Sequence, residues 1–394
     1  MAKLTISDLS LKDKRLLVRV DFNAPQDKQG NITDDIRIRA SLPTIKYALD
    51  NGVSKLILMS HLGRPKGEIK DSLKMDKVAA RLEALISQPV LKLDDCVGEA
   101  VEKAIADSRE KVILLENLRF HKEEEKNDSD FAKGLAKLGD LFVNDAFGSA
   151  HRAHASTEGV THHLKSAAGF LLEKEIKYLG DTLANPELPF VVILGGAKVS
   201  DKIAVIENLL PKAQKFLIGG GMAYTFLKAV GVEIGKSLLD KERLDFAKNI
   251  IDLAKKQNKA IVLPVDHIAA TAIDNPGSAQ LIKGLNLPSD LMGLDIGPRS
   301  IEIFKDELKD AKTMLWNGPL GVSEIEAFSR GTKEIMTYIT ELDAATILGG
   351  GDTAAAASLF GLTDKITHIS TGGGASLEYM EGKTLPGIAA LSDK

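Results

Sequence analysis

Short apolar runs that close on turn residues recur along the whole chain, and this alternation constrains the fold more than any other feature. In the first half the runs are RLLVRV from Arg15, KLILMS from Lys55, KVILLE from Lys111 and LFVNDAF from Leu141. In the second half they are FVVILGG from Phe190, KFLIGGG from Lys215, KAIVLPV from Lys259, TMLWNG from Thr313, ATILGGG from Ala345 and ITHISTGGG from Ile366. Longer helical patterns separate them, as in βαβ units built on a parallel sheet. Between the two sets lies FLLEKEIKYLGDTLANPELP, a charged amphipathic stretch closed by Asn-Pro and a second Pro, expected to be a helix connecting two α/β domains.

The length of 394 residues suits two or three domains. A formal charge of −4 argues against broad electrostatic binding to nucleic acid or anionic membrane, but leaves room for a local basic pocket. Cys96 is the only cysteine, so no internal disulfide or cysteine-based zinc cluster can form and a reducing cytoplasm is the expected compartment. The opening MAKLTISDLSLKDKR lacks the apolar stretch of a signal peptide, and nothing approaches the ~18 continuous apolar residues of a membrane span.

The halves differ in what closes their strands. His61, His121, His151, His154, His162 and His163 fall in the first half, whereas the glycine triplets 219–221, 349–351 and 372–374 all fall in the second. Ligands of open parallel sheets sit outside the carboxyl ends of strands, where glycine permits close approach and helix N–H groups attract anions. Asp352 and Thr353 are expected to cap the helix AAAASLF and to face a phosphate or its cation. Lys198 and Lys202, four apart at the start of IAVIENLL, oppose the helix dipole and each other unless an anion compensates. GVEIGKS is one residue short of a Walker loop and is set aside. Gly349, Gly351 and Ala354 satisfy a weak dinucleotide fingerprint, yet the next run ends on Thr371 and glycines rather than on an acid.

First-half turns read VDFNAP, SHLGRPKG, ENLRFH and NDAFGSAHRAHAS, with TDDIRIRA nearby. They bring Asp21, Asn23, His61, Arg64, Arg119, His151 and Arg152 to one sheet edge, joined by Arg37 and Arg39, a pocket suited to a small, multiply anionic substrate. A zinc site on His151, His154, His162 and His163 is disfavoured by the missing cysteine and H-E-x-x-H patterns.

LLVRVDFNAP, SHLGRPKG, NDAFGSAHRAH, LGGAKVSDKI, WNGPLGVSE, GGGDTAAA and STGGGASLEYMEGKTLPG resemble, in order and across almost the whole chain, the phosphoglycerate kinases. The resemblance implies two Rossmann-like domains: 1–170 binding 3-phosphoglycerate or 1,3-bisphosphoglycerate, a helix and linker over 171–187, 188–383 binding Mg-ADP or Mg-ATP, and a tail 384–394 returning to the first domain. It places Asp21, Phe22, Asn23, Arg37, His61, Leu62, Gly63, Arg64, Arg119 and Arg152 around the phosphoglycerate. It places Lys198, Lys202 and Gly220 in the nucleotide site, Lys202 on the phosphates, Thr353 with Gly350 and Gly351 at the phosphate-binding helix, Gly293, Asn317 and Glu324 on the nucleoside, and Asp352 on Mg²⁺. Arg37, Lys198, Lys202, Gly351 and Gly374 are the positions it implies for phosphoryl transfer.

The expected reaction is in-line transfer with hinge closure by a cytoplasmic monomer, without nucleic acid or membrane. Rival readings are an NAD-dependent dehydrogenase, which would share the weak fingerprint, and a non-catalytic sugar-phosphate-binding protein, which would leave the Lys198 and Lys202 pair without a purpose.

Overall fold

The computed structural model describes residues 2–394, which divide into two compact units. One comprises residues 2–177 with Thr384–Lys394, the other Tyr178–Lys383.

In the first unit, β1 (Arg15–Val20), β2 (Lys55–Met59), β3 (Val90–Lys92), β4 (Val112–Leu114), β5 (Leu141–Asp145) and β6 (Ser166–Ala168) form one parallel sheet in the order β3-β4-β2-β1-β5-β6. β1 lies between β2 and β5, so both of its edges are paired, and its side chains from Leu16 to Val20 are buried on both faces, which fits a run without polar alternation except Arg19. Leu16, Val18 and Val20 enter a core with Ile45, Leu56, Leu58 and Val143. All six strands run the same way and the strand order reverses between β1 and β5, so the turns after β1, β2, β4 and β5 open at one edge. The C-terminal segment packs on this unit: Leu4 N donates to Ser392 O at 2.9 Å and Asn144 Nδ2 to Gly387 O at 3.0 Å.

The second unit has a parallel sheet of β7 (Phe190–Leu194), β8 (Lys215–Ile218), β9 (Ala260–Val262), β13 (Thr313–Asn317), β14 (Ala345–Gly349) and β15 (His368–Ile369), in the order β15-β14-β13-β7-β8-β9. A second, antiparallel sheet joins β10 (His267–Ala270), β11 (Gln280–Ile282) and β12 (Met292–Ile296) in the order β11-β10-β12. The periodicity reading does not contain this sheet, nor β3 and β6, which are only three residues long. Trp316, Phe304 and Ile335 anchor the core beneath the parallel sheet.

The connecting stretch is helical from Phe170 to Glu175 and continues as a wider π-helical segment, Ile176–Thr182. The boundary between the units, at Lys177 and Tyr178, falls inside it, so the residues 171–187 are shared between the units. No helix among the described residues is long and apolar enough to cross a membrane.

Candidate active site

The first unit gathers its basic residues at the carboxyl edge of the sheet through a chain of hydrogen bonds. Asp21, directly after β1, accepts from Arg37 Nη1 at 2.7 Å through Oδ2 and from Asn23 N at 3.2 Å through Oδ1. Asn23 Oδ1 in turn accepts from Gly63 N at 2.8 Å, and Gly63 O from Arg119 Nη1 at 2.9 Å. Gly63 sits at φ +62°, and a Cβ there would stand 2.8 Å from Leu73 Cδ2, so only glycine makes this turn without strain. Arg119 is buried, which draws its pKa down through desolvation, whereas Arg64 and Arg152 are exposed and Arg37 is intermediate.

Some expected contacts are redirected inward. Phe22 and Leu62 bury their side chains in the core, and their N–H groups are consumed by Ser60 Oγ and Asn117 Oδ1 at 2.9 and 3.2 Å. They therefore hold the turns in place rather than offering a donor. Arg39 does not join the edge; it pairs with Asp35 at 2.8 Å, because residues two apart on a helix point in nearly opposite directions. The histidines do not converge either: His162 pairs with Glu158 at 2.6 Å, while His154 is buried beside Glu124 and its pKa falls to about 3, chiefly through burial.

Behind this edge lies a buried polar layer that the sequence reading left out. Arg19 is fully buried; it donates Nε to Ser156 Oγ at 2.8 Å and Nη2 to His61 Nδ1 at 2.9 Å. Glu124, also fully buried, accepts from Ser156 Oγ at 2.6 Å and Ser156 N at 3.0 Å. Burial lowers the pKa of Arg19 and raises that of Glu124, and each offsets the other's shift. Asn117 binds Leu62 N and O and Arg119 N, tying the turn after β2 to that after β4. The sequence signal for Arg19 was present, an arginine inside an otherwise apolar strand, but Glu124 is hidden among the other acids of KEEEK.

The second unit places its glycines for two different reasons. A Cβ on Gly195 would lie 2.0 Å from Pro319 O, one on Gly220 2.7 Å from Gly196 N, and one on Gly318 2.3 Å from Gly195 O. What approaches these residues so closely is the backbone of neighbouring turns, which accounts for glycine at Gly220 without any ligand. Gly196, Gly351 and Gly373 have nothing within 4 Å of such a Cβ and open outward.

The helix Gly351–Leu359 begins one residue earlier than the expected cap: its N-cap is Gly350 at φ +88°, and no side chain caps it. Its first N–H groups and dipole therefore remain available to an anion, with the exposed Asp352 in the first turn. Thr353 is instead fully buried and accepts from Gly318 N at 2.7 Å, pinning the helix to the turn after β13. Lys202, the N-cap of Ile203–Leu209, turns away from the exposed Lys198 and donates to Asn317 Oδ1 at the end of β13. Burial lowers the Lys202 pKa, against the opposing pull of Asp201, Asp352 and Glu381. Gly374 starts the helix Gly374–Met380 after β15, whose end carries Ser370 and no acid. Gly293 lies on β12, where a Cβ would overlap the Tyr224 hydroxyl at 1.7 Å, and Glu324 is exposed on the loop after β13. GVEIGKS is not a phosphate loop: a Cβ on Gly235 would lie 2.3 Å from Pro288 O and Leu291 O, and Ser237 Oγ accepts from Gly293 N.

Two parallel sheets thus each present an anion-attracting edge, one of arginines and one of uncapped helix starts. The family model described as phosphoglycerate kinase matches residues 6–383. The chain belongs to the phosphoglycerate kinase family. Similar curated phosphoglycerate kinases include those of Dictyoglomus turgidum, 56% identical, and Moorella thermoacetica, 54% identical, with 100% of each chain covered in both cases. Among solved structures, phosphoglycerate kinase from Coxiella burnetii aligns with a TM-score of 0.90 at 40% identity, and that from Pyrococcus horikoshii with 0.83 at 33%, each covering 98% of both chains. The mostly parallel α/β architecture of both units is therefore that of the phosphoglycerate kinases.

Proposed function

We propose that the chain transfers a phosphoryl group reversibly between ATP and the carboxylate of 3-phosphoglycerate, giving ADP and 1,3-bisphosphoglycerate. The observation that carries this reading is the division of anion chemistry between the two sheets. One edge offers guanidinium groups from Arg37, Arg64, Arg119 and Arg152, suited to phosphate and carboxylate. The other offers the uncapped start of Gly351–Leu359 with Lys198 and Lys202, suited to a polyphosphate.

In this reading Asp21, Asn23, Arg37, His61, Arg64, Arg119 and Arg152 hold the phosphoglycerate, and Lys198, Lys202, Gly350, Gly351 and Gly374 hold the nucleotide phosphates. Gly293, Asn317 and Glu324 serve the nucleoside. Thr353 contributes by fixing the helix start. A carboxylate oxygen attacks the γ-phosphorus as the bond to the ADP oxygen breaks, so no protein nucleophile or proton transfer is needed. Arg37 and Lys198 then neutralise charge on the phosphoryl oxygens in flight. Mg²⁺ fits beside Asp352, since the ion takes one or two carboxylates and fills its remaining positions with phosphate oxygens and water. Bound there, it would neutralise phosphate charge.

We infer that the protein acts as a cytoplasmic monomer and that its units close on the substrates, excluding water from the acyl phosphate. A coupled assay of ATP-dependent, Mg²⁺-dependent phosphorylation of 3-phosphoglycerate tests the reading. Turnover is expected; binding of both compounds without turnover would overturn it.

A further inference from the structure

His61 meets Arg19 through one ring nitrogen only. Arg19 Nη2 stands 2.9 Å from His61 Nδ1. A guanidinium carries five donors and no acceptor, so at this contact Nδ1 must accept. An imidazole that accepts at Nδ1 is neutral and carries its single proton on Nε2.

We propose that Arg19 is a positioning residue that fixes His61 as the neutral Nε2–H tautomer, so that His61 gives a substrate oxygen a directed hydrogen bond instead of a titrating charge. The substrate part of this rests on the phosphoglycerate reading above; the tautomer does not.

The surroundings enforce the same state. Arg19 cannot swing away, because Nε is held by Ser156 Oγ at 2.8 Å, Nη1 donates to Val20 O and Nη2 lies 3.4 Å from Ser149 Oγ. Ser156 is itself clamped by Glu124 through both its hydroxyl and its N–H. The groups facing His61 are Arg19 from β1, Arg37 from the helix Ile36–Ala40, Arg119 from the turn after β4 and His154 from the loop after β5. With burial first among the causes, they hold the His61 pKa well below the usual histidine range. The carboxylates of the layer, Glu124 and Asp21, act on Arg19. A proton on Nδ1 would break the Arg19 contact, and a doubly protonated ring would also set two cations against each other in a buried site.

The arrangement also divides labour at the edge. The arginines supply charge that does not change with pH, and His61 supplies direction.

The test is long-range ¹H–¹⁵N correlation of the imidazole rings in the ligand-free, full-length protein, with His61 assigned from a His61→Gln spectrum. A neutral Nε2–H ring from pH about 5.5 to about 8 is expected; an Nδ1–H ring, or titration near the ordinary pKa of ~6.5, would overturn the proposal. Arg19→Met is expected to release His61 to a tautomer mixture, its pKa still held down by burial, Arg37 and Arg119, and Arg19→Lys, still a donor without an acceptor, to restore the wild-type spectrum. Because Arg19→Met strands Glu124 in the interior, the double variant Arg19→Met, Glu124→Gln provides a charge-balanced protein for the same measurement. If the neutral His61 ring stays wholly Nε2–H in that double variant, Arg19 is not what fixes it. Calorimetric titration with 3-phosphoglycerate separates the two claims: an Nε2–H ring in a protein that binds no phosphoglycerate supports the tautomer and sinks the substrate.

Discussion

Arg37 donates Nη1 to Asp21 Oδ2 at 2.7 Å while its side chain remains about one third exposed, so the residue is aimed by an anion yet keeps donors for another. Asp21 is thereby an aiming group, and Arg37 a cation whose remaining N–H groups can meet a transferring phosphoryl group. Arg37→Ala is expected to lower kcat by ~10³-fold, the lower end of what one transition-state arginine contributes in phosphoryl transfer, with nucleotide affinity unchanged. Steady-state kinetics and nucleotide titration check this; equal losses in both would refute the transition-state role.

Gly148, in the turn after β5, guards the same carboxylate. A Cβ at this position would lie 2.6 Å from Asp21 Oδ2, too close for the pair with Arg37 to survive unmoved. Gly148→Ala is expected to weaken 3-phosphoglycerate binding by roughly tenfold while leaving nucleotide affinity as it was. Calorimetry with each ligand separately gives the answer, and parallel losses for both would count against it.

The two classes of glycine in the second unit respond oppositely to the same substitution. Gly318→Ala places a methyl 2.3 Å from Gly195 O at φ +94°, and should cost about 3 kcal/mol of stability or more. Gly351→Ala meets nothing within 4 Å, so stability should stay within about 0.5 kcal/mol while nucleotide affinity falls by roughly tenfold or more. Urea melts and nucleotide titrations of both variants decide the matter. A Gly351→Ala protein that binds nucleotide normally would remove this helix start from the phosphate site.

Asp145, at the end of β5, is buried and accepts from Leu171 N at 2.9 Å at the start of the connecting helix. Burial raises its pKa from 3.8 to about 7, partly offset by Thr44 and the N–H groups of Leu172 and Leu171. Between those values the folded protein holds a proton that the unfolded chain has released, so this group's contribution to stability falls as pH rises from about 4 to about 7. Asp145→Asn keeps the accepting Oδ1 and cannot ionise. It should match the wild type near pH ~4 and exceed it by a few kcal/mol, roughly, above pH ~7. Chemical denaturation across that range tests the sign, and a gap independent of pH would exclude it.

The strands that support both edges were legible because each is a contiguous apolar run whose period and bounding turns are local. The antiparallel sheet of β10, β11 and β12 was not: HIAA is only four residues long, QLI is short and mostly exposed, and neither carries an apolar run that stands out from a loop. The site was legible to the same depth. Charged residues in strand-end turns mark an edge, and a helix following glycines marks an anion site, from neighbouring residues alone.

The amino-acid sequence by itself determined the alternation of strands and helices, the family, and which chemistry each strand end can display, since all of these depend on residue type and spacing along the chain. Only the tertiary structure decided which polar groups are spent inside the protein: Thr353 on Gly318, Lys202 on Asn317, Arg19 on Ser156 and His61. It likewise separated the glycines crowded by another turn's backbone from those facing open space. The reason is that burial and hydrogen-bond partnership belong to neighbours in space, and the partners Arg19 and Ser156 stand 137 residues apart in the chain.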